Sequence, residues 1–354
     1  MAATTTDENP PAAGRRITLA EIAEAANLSL ATVSKVLNGR TDVSPATRSR
    51  VEQLLNDHGY LRRSPSSGTG VAKMLELVFH ELDSDFAIEI IRGVERVTRA
   101  SGISLILTES GDRHTPGPGW VDGVLRRRPV GVVLVFSALT QGEKQKLRSR
   151  GVNFVVVDPA GEPDPDVASI GSANWSGGFA AAQHLIELGH RRIGMISGPE
   201  DMLCAVARVD GYRAALDRAG IAFDPALVRY GDFHVIGGQR QAQALLALEE
   251  PPTAIFAGSD LQAFGVYEAA RVRGYRIPDD LSVVGYDDLS MARWAGPPLT
   301  TIRQPLAEMA ETATRLVLAL SEDPDTPRNR RVDLATSLVV RESTRPPRAA
   351  GISQ

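Results

Sequence analysis

A single cysteine, Cys204, among 354 residues leaves no partner for an internal disulfide and rules out a cysteine-rich metal site, as expected in a reducing compartment. No run of about 18 apolar residues is present, and residues 1–14 are polar and acidic, without the apolar core of a secretion signal. The chain is therefore expected to be cytoplasmic, with no membrane partner. Signatures of catalysis are missing as well. There is no G-x-S-x-G elbow and no lysine preceded by glycine, and Gly68-Thr69-Gly70 precedes a strand pattern instead of following one. His58, His80, His114, His184, His190 and His234 fall into no metal-ligand spacing. An enzyme is not expected, and neither a cofactor nor a metal is required.

A strong excess of charge is also absent, since the net charge is −4, but the charge is unevenly spread. Between Arg15 and Arg63, eight basic residues (Arg15, Arg16, Lys35, Arg40, Arg48, Arg50, Arg62, Arg63) face five acidic ones (Glu21, Glu24, Asp42, Glu52, Asp57). Phosphate binding needs only a local basic face, so the N-terminal segment is the candidate electrostatic footprint.

What is present is an average globular composition, 43% hydrophobic and 23% charged, over a length that exceeds one hydrophobic core. The expected organisation is a small domain followed by a large or two-lobed one. Residues 1–14 read as a disordered leader. Thr18 and Glu21 then form a T-x-x-E capping box ahead of Leu19, Ile22, Ala23 and Ala26 at helical spacing. Asn27, Leu28 and Ser29 interrupt, with Ser29 as N-cap of a second helix that turns Val33, Val36 and Leu37 inward and ends at Gly39. A third helix opens with Ser44 and Pro45, buries Val51, Leu54 and Leu55, and stops at Gly59. On the second helix Leu30, Ala31, Ser34, Lys35 and Asn38 share the face opposite that apolar side. Two capped helices with a three-residue turn between them are the helix-turn-helix layout, though a three-helix bundle that binds protein has the same geometry.

Residues 62–73, opening RRSPSSGTG, read as a flexible linker. Beyond it, apolar runs at 75–81, 103–108, 131–137, 154–158, 191–197, 228–232, 253–260 and 281–288 alternate with helical patterns, with a Pro- and Asp-rich break between Asp158 and Asp166. Such alternation implies two doubly wound parallel sheets. Because βα loops gather at the carboxyl ends of strands, two lobes of this kind enclose a cleft suited to a small ligand. His80, Glu81, Asp83, Asp85 and Phe86 follow the first strand and Asp158 ends another, which makes them candidates to line it. Trp175, where the chain enters the second lobe, is placed either to stack on a ligand or to pack at the hinge.

The wording from Ile17 to Tyr60, with T-V-S-x-V-L-N at Thr32 to Asn38, closely resembles the DNA-binding domain of the lactose-repressor/galactose-repressor (LacI/GalR) family. The resemblance resumes at 184–199, 208–216, 252–266, 277–288 and 297–305. It implies a small all-α helix-turn-helix domain (15–61), the linker, an α/β two-lobed periplasmic-binding-protein-like domain for ligand sensing and dimerisation (74–345), and a disordered tail (346–354). The implied function is a transcriptional repressor that acts as a homodimer on near-palindromic double-stranded operator DNA and is controlled by a mono- or disaccharide. A free sugar-binding protein, or an enzyme on sugars carrying a DNA reader, is the alternative.

By resemblance, Leu30 and Ala31 meet base edges, Lys35 reaches a base or phosphate, and Thr18, Ser29, Thr32, Ser34 and Asn38 hold phosphates. Arg208, Phe233, Asp260 and Asp287 would lie at the cleft, where Arg and Asp pair with hydroxyls and an aromatic ring covers a sugar's C–H face. Taken singly, Arg208 also suits a surface ion pair, Phe233 the core and Asp260 a helix N-cap. After Tyr60 the family's leucine-bearing hinge segment is replaced by LRRSPSSGTG, so weaker operator bending is expected, with Arg62 and Arg63 as flexible cations in the minor groove or on phosphates.

Overall fold

The computed structural model describes residues 18–37, 43–57, 73–82, 84–111, 119–135, 139–159, 165–323 and 325–348. The leader, residues 58–72 with Arg62 and Arg63, Asn38, Gly39, the Leu37 side chain and Asp83 lie outside the described residues.

The N-terminal helices form as their caps dictate. Helix α1 (Leu19–Ala26) opens with the reciprocal Thr18–Glu21 capping box and closes on Asn27 in the left-handed region at φ 53°. The Ser29 hydroxyl accepts the Thr32 N–H at 3.1 Å to start α2 (Leu30–Leu37), and the Ser44 hydroxyl accepts the Thr47 N–H at 3.2 Å to start α3 (Pro45–Asp57). Ile22, Ala23, Ala26, Val33, Val36, Val43 and Val51 make one core among these helices.

The first lobe begins with β1 (Met74–Phe79), α4 (Asp85–Ala100), β2 (Ser104–Glu109) and α5 (Trp120–Arg127). It continues through β3 (Gly131–Val135), α6 (Gln141–Ser149), β4 (Phe154–Val157) and β5 (Ser169–Ser172). The second lobe runs α7 (Asn174–Glu187), β6 (Ile193–Ser197), α8 (Leu203–Arg218), β7 (Val228–Tyr230), α9 (Val235–Leu245), β8 (Ala254–Ala257), α10 (Asp260–Arg273), β9 (Ser282–Asp287) and β10 (Thr300–Arg303). The chain ends with α11 (Leu306–Glu322), β11 (Arg331–Leu334) and β12 (Ser337–Val339). Sheet order is β11-β5-β4-β3-β1-β2 in one lobe and β12-β10-β9-β8-β6-β7 in the other. β3 and β4 read as unbroken apolar runs because they are buried throughout, as central strands of a sheet covered on both faces are.

The eight apolar runs all become strands. Four further strands, β5, β10, β11 and β12, are short and partly polar, and three of them meet the sheets only through the tertiary fold. β12 pairs antiparallel with β10, so the second sheet is not wholly parallel. Nor do the lobes follow one another simply along the chain. After β10, α11 returns to the first lobe, where Met309, Ala310, Ala313 and Val317 pack with Ile90, Val94 and the first sheet, and β11 adds to that sheet before β12 returns to the second. The lobes are thus joined by three crossings, near Ala173, Gln304 and Thr336. Two of these are tied together: Ala173 donates its N–H to the Leu334 carbonyl at 2.8 Å, and the Thr336 hydroxyl donates to the Ala173 carbonyl at 3.4 Å.

The expected tail needs correction at its start. Arg348 pairs with Asp280 at 2.6 Å, so ordered chain continues past 345. His184 and His190 hold this C-terminal segment: His184 Nε2 meets the Thr344 hydroxyl at 2.9 Å, and His190 Nε2 lies 2.9 Å from the Arg345 carbonyl.

Candidate functional site

On α2 the outward residues are Leu30, which is 53% exposed, Ala31 and Lys35, with Thr32 and Ser34 half-buried. A leucine is left at the surface here because the helix already spends Val33 and Val36 on the core. The hydroxyls of Thr18 and Ser29 accept main-chain N–H groups in their caps, and Thr32 shares a hydrogen bond with Ser29 at 2.9 Å. These caps fix the helix N-termini, whose remaining N–H groups and positive dipole end attract phosphate.

The second site is a cleft of about 700 Å³ between the two sheets, at the carboxyl ends of their strands. Of the residues nominated for it, His80, Glu81 and Phe86 from the first lobe and Arg208, Phe233 and Asp287 from the second line it. The Arg208 guanidinium is buried: Nε donates to Asn174 Oδ1 at 2.9 Å, Nη1 donates to the Gly258 carbonyl at 2.5 Å, and its plane stacks 3.7 Å from the Tyr286 ring centroid. No carboxylate among the described residues reaches it within ion-pair distance, so the surface-ion-pair alternative does not hold. Phe233 approaches β6 so closely that a Cβ on Gly198 would lie 1.9 Å from its ring, which is why glycine ends that strand. Asp158, Phe233 and Asp287 all carry positive φ, at 45°, 67° and 116°. Backbone held in this way is costly for residues with a Cβ and concentrates where side chains must be aimed.

Asp158 does not line the cleft but is buried near Arg208, and its Oδ2 has no hydrogen-bond partner. Two nominated residues are placed elsewhere. Trp175 stands half-exposed on α7, stacked on Phe179 with ring centroids 5.4 Å apart. Asp260 is wholly buried below the cleft, where it accepts the Leu289 N–H at 2.7 Å and the Thr301 hydroxyl at 2.5 Å. It does not cap α10; Ser259 does, accepting the Gln262 N–H. Asp260 therefore ties α10 to the loop after β9 and to β10.

Sequence reasoning missed the residues that connect this site to the lobe crossings. Gln304 Nε2 donates to Asp287 Oδ1 at 2.8 Å while its Oε1 accepts the Ser172 hydroxyl, and Asn174 Nδ2 donates to the Ser172 carbonyl at 3.2 Å. Ser172, Asn174 and Gln304 all sit where the chain passes between lobes. At the cleft mouth, Glu81 of the first lobe pairs with His234 of the second at 2.8 Å.

Burial pushes the Asp287 carboxyl up to about 7 against the pull of Arg208, and Asp158 up to about 6 for the same reason. In the folded chain both keep a proton at pH values where the unfolded chain, near 3.9, has released it. Their contribution to stability is complete below pH ~4 and is lost as pH rises toward 7. Asp287→Asn accepts the Gln304 bond without titrating, so its thermal midpoint should fall less than the parent's between pH 5 and pH 8. Parallel profiles would contradict the assignment.

A helix-turn-helix unit and two α/β lobes closing on a polar cleft define a ligand-responsive DNA-binding regulator. Residues 18–63 match the bacterial regulatory proteins of the lacI family, and residues 182–344 match the periplasmic binding protein-like domain. The HTH-type transcriptional regulator CelR of Thermobifida fusca is 36% identical over 342 residues, covering 93% of this chain and 98% of that protein. The HTH-type transcriptional repressor CytR of Escherichia coli K12 is 32% identical, covering 93% and 96%. A solved structure of the transcriptional regulator CelR–cellobiose complex superposes with a TM-score of 0.70 at 34% identity, covering 93% of this chain and all of that one. The lac repressor dimer bound to operator and the anti-inducer ONPF gives 0.68 at 26%, covering 94% and 100%. The chain belongs to the LacI family of transcriptional regulators. Among the described residues no helix is long and apolar enough to cross a membrane.

Proposed function

We propose that this protein is a cytoplasmic transcriptional repressor, without enzymatic activity, whose hold on operator DNA is set by a mono- or disaccharide bound in the cleft. The observation that carries this reading is the buried Arg208 beside Asp287 and Phe233, at strand ends between two lobes, in a chain that also bears a capped recognition helix. Adjacent sugar hydroxyls accept from the guanidinium and donate to the carboxylate, while the aromatic ring covers C–H groups. Leu30, Ala31 and Lys35 would read bases, with Thr18, Ser29, Thr32, Ser34 and Asn38 on phosphates. The domain bounds follow from the same reading: 15–61 for the DNA reader, 62–73 for the linker and 74–345 for sensing and dimerisation.

The active form would be a homodimer, because one short recognition helix reads too few base pairs and two-fold symmetry doubles them. Trp294 (81% exposed), Ile236 (80%), Val272 and Met291 are large apolar side chains left at the surface of the second lobe, as a self-association face requires. Ligand closing the lobes would change the spacing of the two readers, lowering operator affinity by the difference in its affinity for the two states. The test selects a DNA site from a random pool with the full chain and measures its binding with and without cellobiose and other neutral saccharides. A near-palindromic site released at least tenfold by one sugar, and lost with dimerisation in Trp294→Asp, is the expected result. Equal binding by a monomer, or no response to any sugar, would refute it.

A further inference from the structure

The cleft is richer in acceptors than in donors. Its lining includes the carboxylates of Glu81, Asp232 and Asp287, against one permanent cation, Arg208. Asp158 is buried behind them with Oδ2 unpartnered. Arg208 is already committed on two nitrogens to neutral acceptors, the Asn174 amide and the Gly258 carbonyl, so its hydrogen-bonding capacity for a guest is reduced. Glu81 is balanced by His234 across the mouth when that imidazole is protonated, which leaves Asp232, Asp287 and Asp158 as the acid excess facing a single guanidinium.

A buried acceptor without a partner is costly, and it is satisfied by a donor rather than by another acceptor. A sugar hydroxyl supplies that donor. A phosphate dianion or a sugar carboxylate brings only acceptors, and its charge would stand beside like charges in a site partly shielded from water, where such juxtaposition costs several kcal/mol. Phe79, Phe86 and Phe233 complete a lining suited to the C–H faces of an uncharged ring. Given the reading of the cleft as an effector site, on which this inference rests, we propose that it selects neutral polyhydroxylated guests and excludes phosphorylated sugars and sugar acids built on the same ring. Discrimination would arise from Asp287, Asp232 and Asp158, with Arg208 orienting the guest instead of neutralising a charge.

Matched pairs test this on the full chain by calorimetry and thermal shift: glucose against glucose 6-phosphate and glucuronate, ribose against ribose 5-phosphate, and cellobiose against cellobionate. The expected result is that binding is confined to neutral members, varies little with salt, and is weaker by about a hundredfold or more for any anionic partner. An anionic sugar that binds as tightly as its neutral counterpart, with an affinity that falls as salt rises and is lost in Asp287→Ala, would overturn the exclusion while leaving the cleft as the site. If none of the seven compounds binds, the reading of the cleft as a saccharide site fails, and the exclusion fails with it.

Discussion

Replacing Arg208 by alanine should abolish the response of operator binding to effector while leaving the effector-free protein's affinity for operator within a few-fold of the parent. The guanidinium lies on α8 between Asn174, Gly258 and the Tyr286 ring, and no other permanent cation lines the cleft. Its loss removes the guest's main donor and leaves Asp287 and Asp158 facing one another without an opposing charge. Truncating one member of a buried, hydrogen-bonded charged group costs about 2–5 kcal/mol, so effector affinity should drop by more than about thirtyfold. Arg208→Lys keeps the charge but has neither the planar stack nor the directions of the fork, and should recover little of the response. Lys35→Ala should do the reverse, weakening operator binding while keeping the thermal shift given by effector, because Lys35 is exposed on α2. Fluorescence anisotropy on labelled operator with added saccharide measures the response. Full release by sugar in Arg208→Ala would remove the cleft assignment.

Gly178→Val should be the most damaging single change in the second lobe. Helices α7 and α8 approach so closely that a Cβ at Gly178 would lie 2.2 Å from the Arg208 carbonyl oxygen, and one at Gly211 would lie 2.1 Å from the Trp175 carbonyl oxygen. Both obstacles are backbone, so a rotamer change relieves neither and the helices must separate. Overpacking of this kind costs about 3 kcal/mol or more, which lowers the melting temperature by roughly 6–12 °C for a domain of this size. Since α8 carries Arg208, the separation also moves the guanidinium off Tyr286, and effector affinity should fall along with stability. Gly142→Ala is the contrast: a Cβ there meets nothing within 4 Å, so the variant should match or slightly exceed the parent in a thermal melt. A Gly178→Val protein that melts with the parent would show that the two helices are not held at this distance.

The sequence by itself determined the elements and much of the chemistry, because those signals are local. Thr18 with Glu21, Ser29 and Ser44 each bond main-chain groups a turn away, so their caps are readable from spacing and appear as expected. The central strands declare themselves as apolar runs since both faces are covered. Arg208, Phe233 and Asp287 were reachable through family wording and their place after strand ends. Tertiary structure alone decided what those residues meet. Ser172 and Gln304 are 132 residues apart and touch only because the chain passes between the lobes more than once. β11 and β12 are too short and polar to be strands without a waiting sheet edge to pair with. Asp260 and Trp175 stood as plausible in sequence as Asp287 did, yet Ser259 takes the cap and Thr301 and Leu289 hold the Asp260 carboxylate in the core, while Phe179 holds Trp175 at the surface. A side chain's type fixes which bonds it can make; only the three-dimensional path of the chain fixes which partners are within the roughly 3 Å that a hydrogen bond spans.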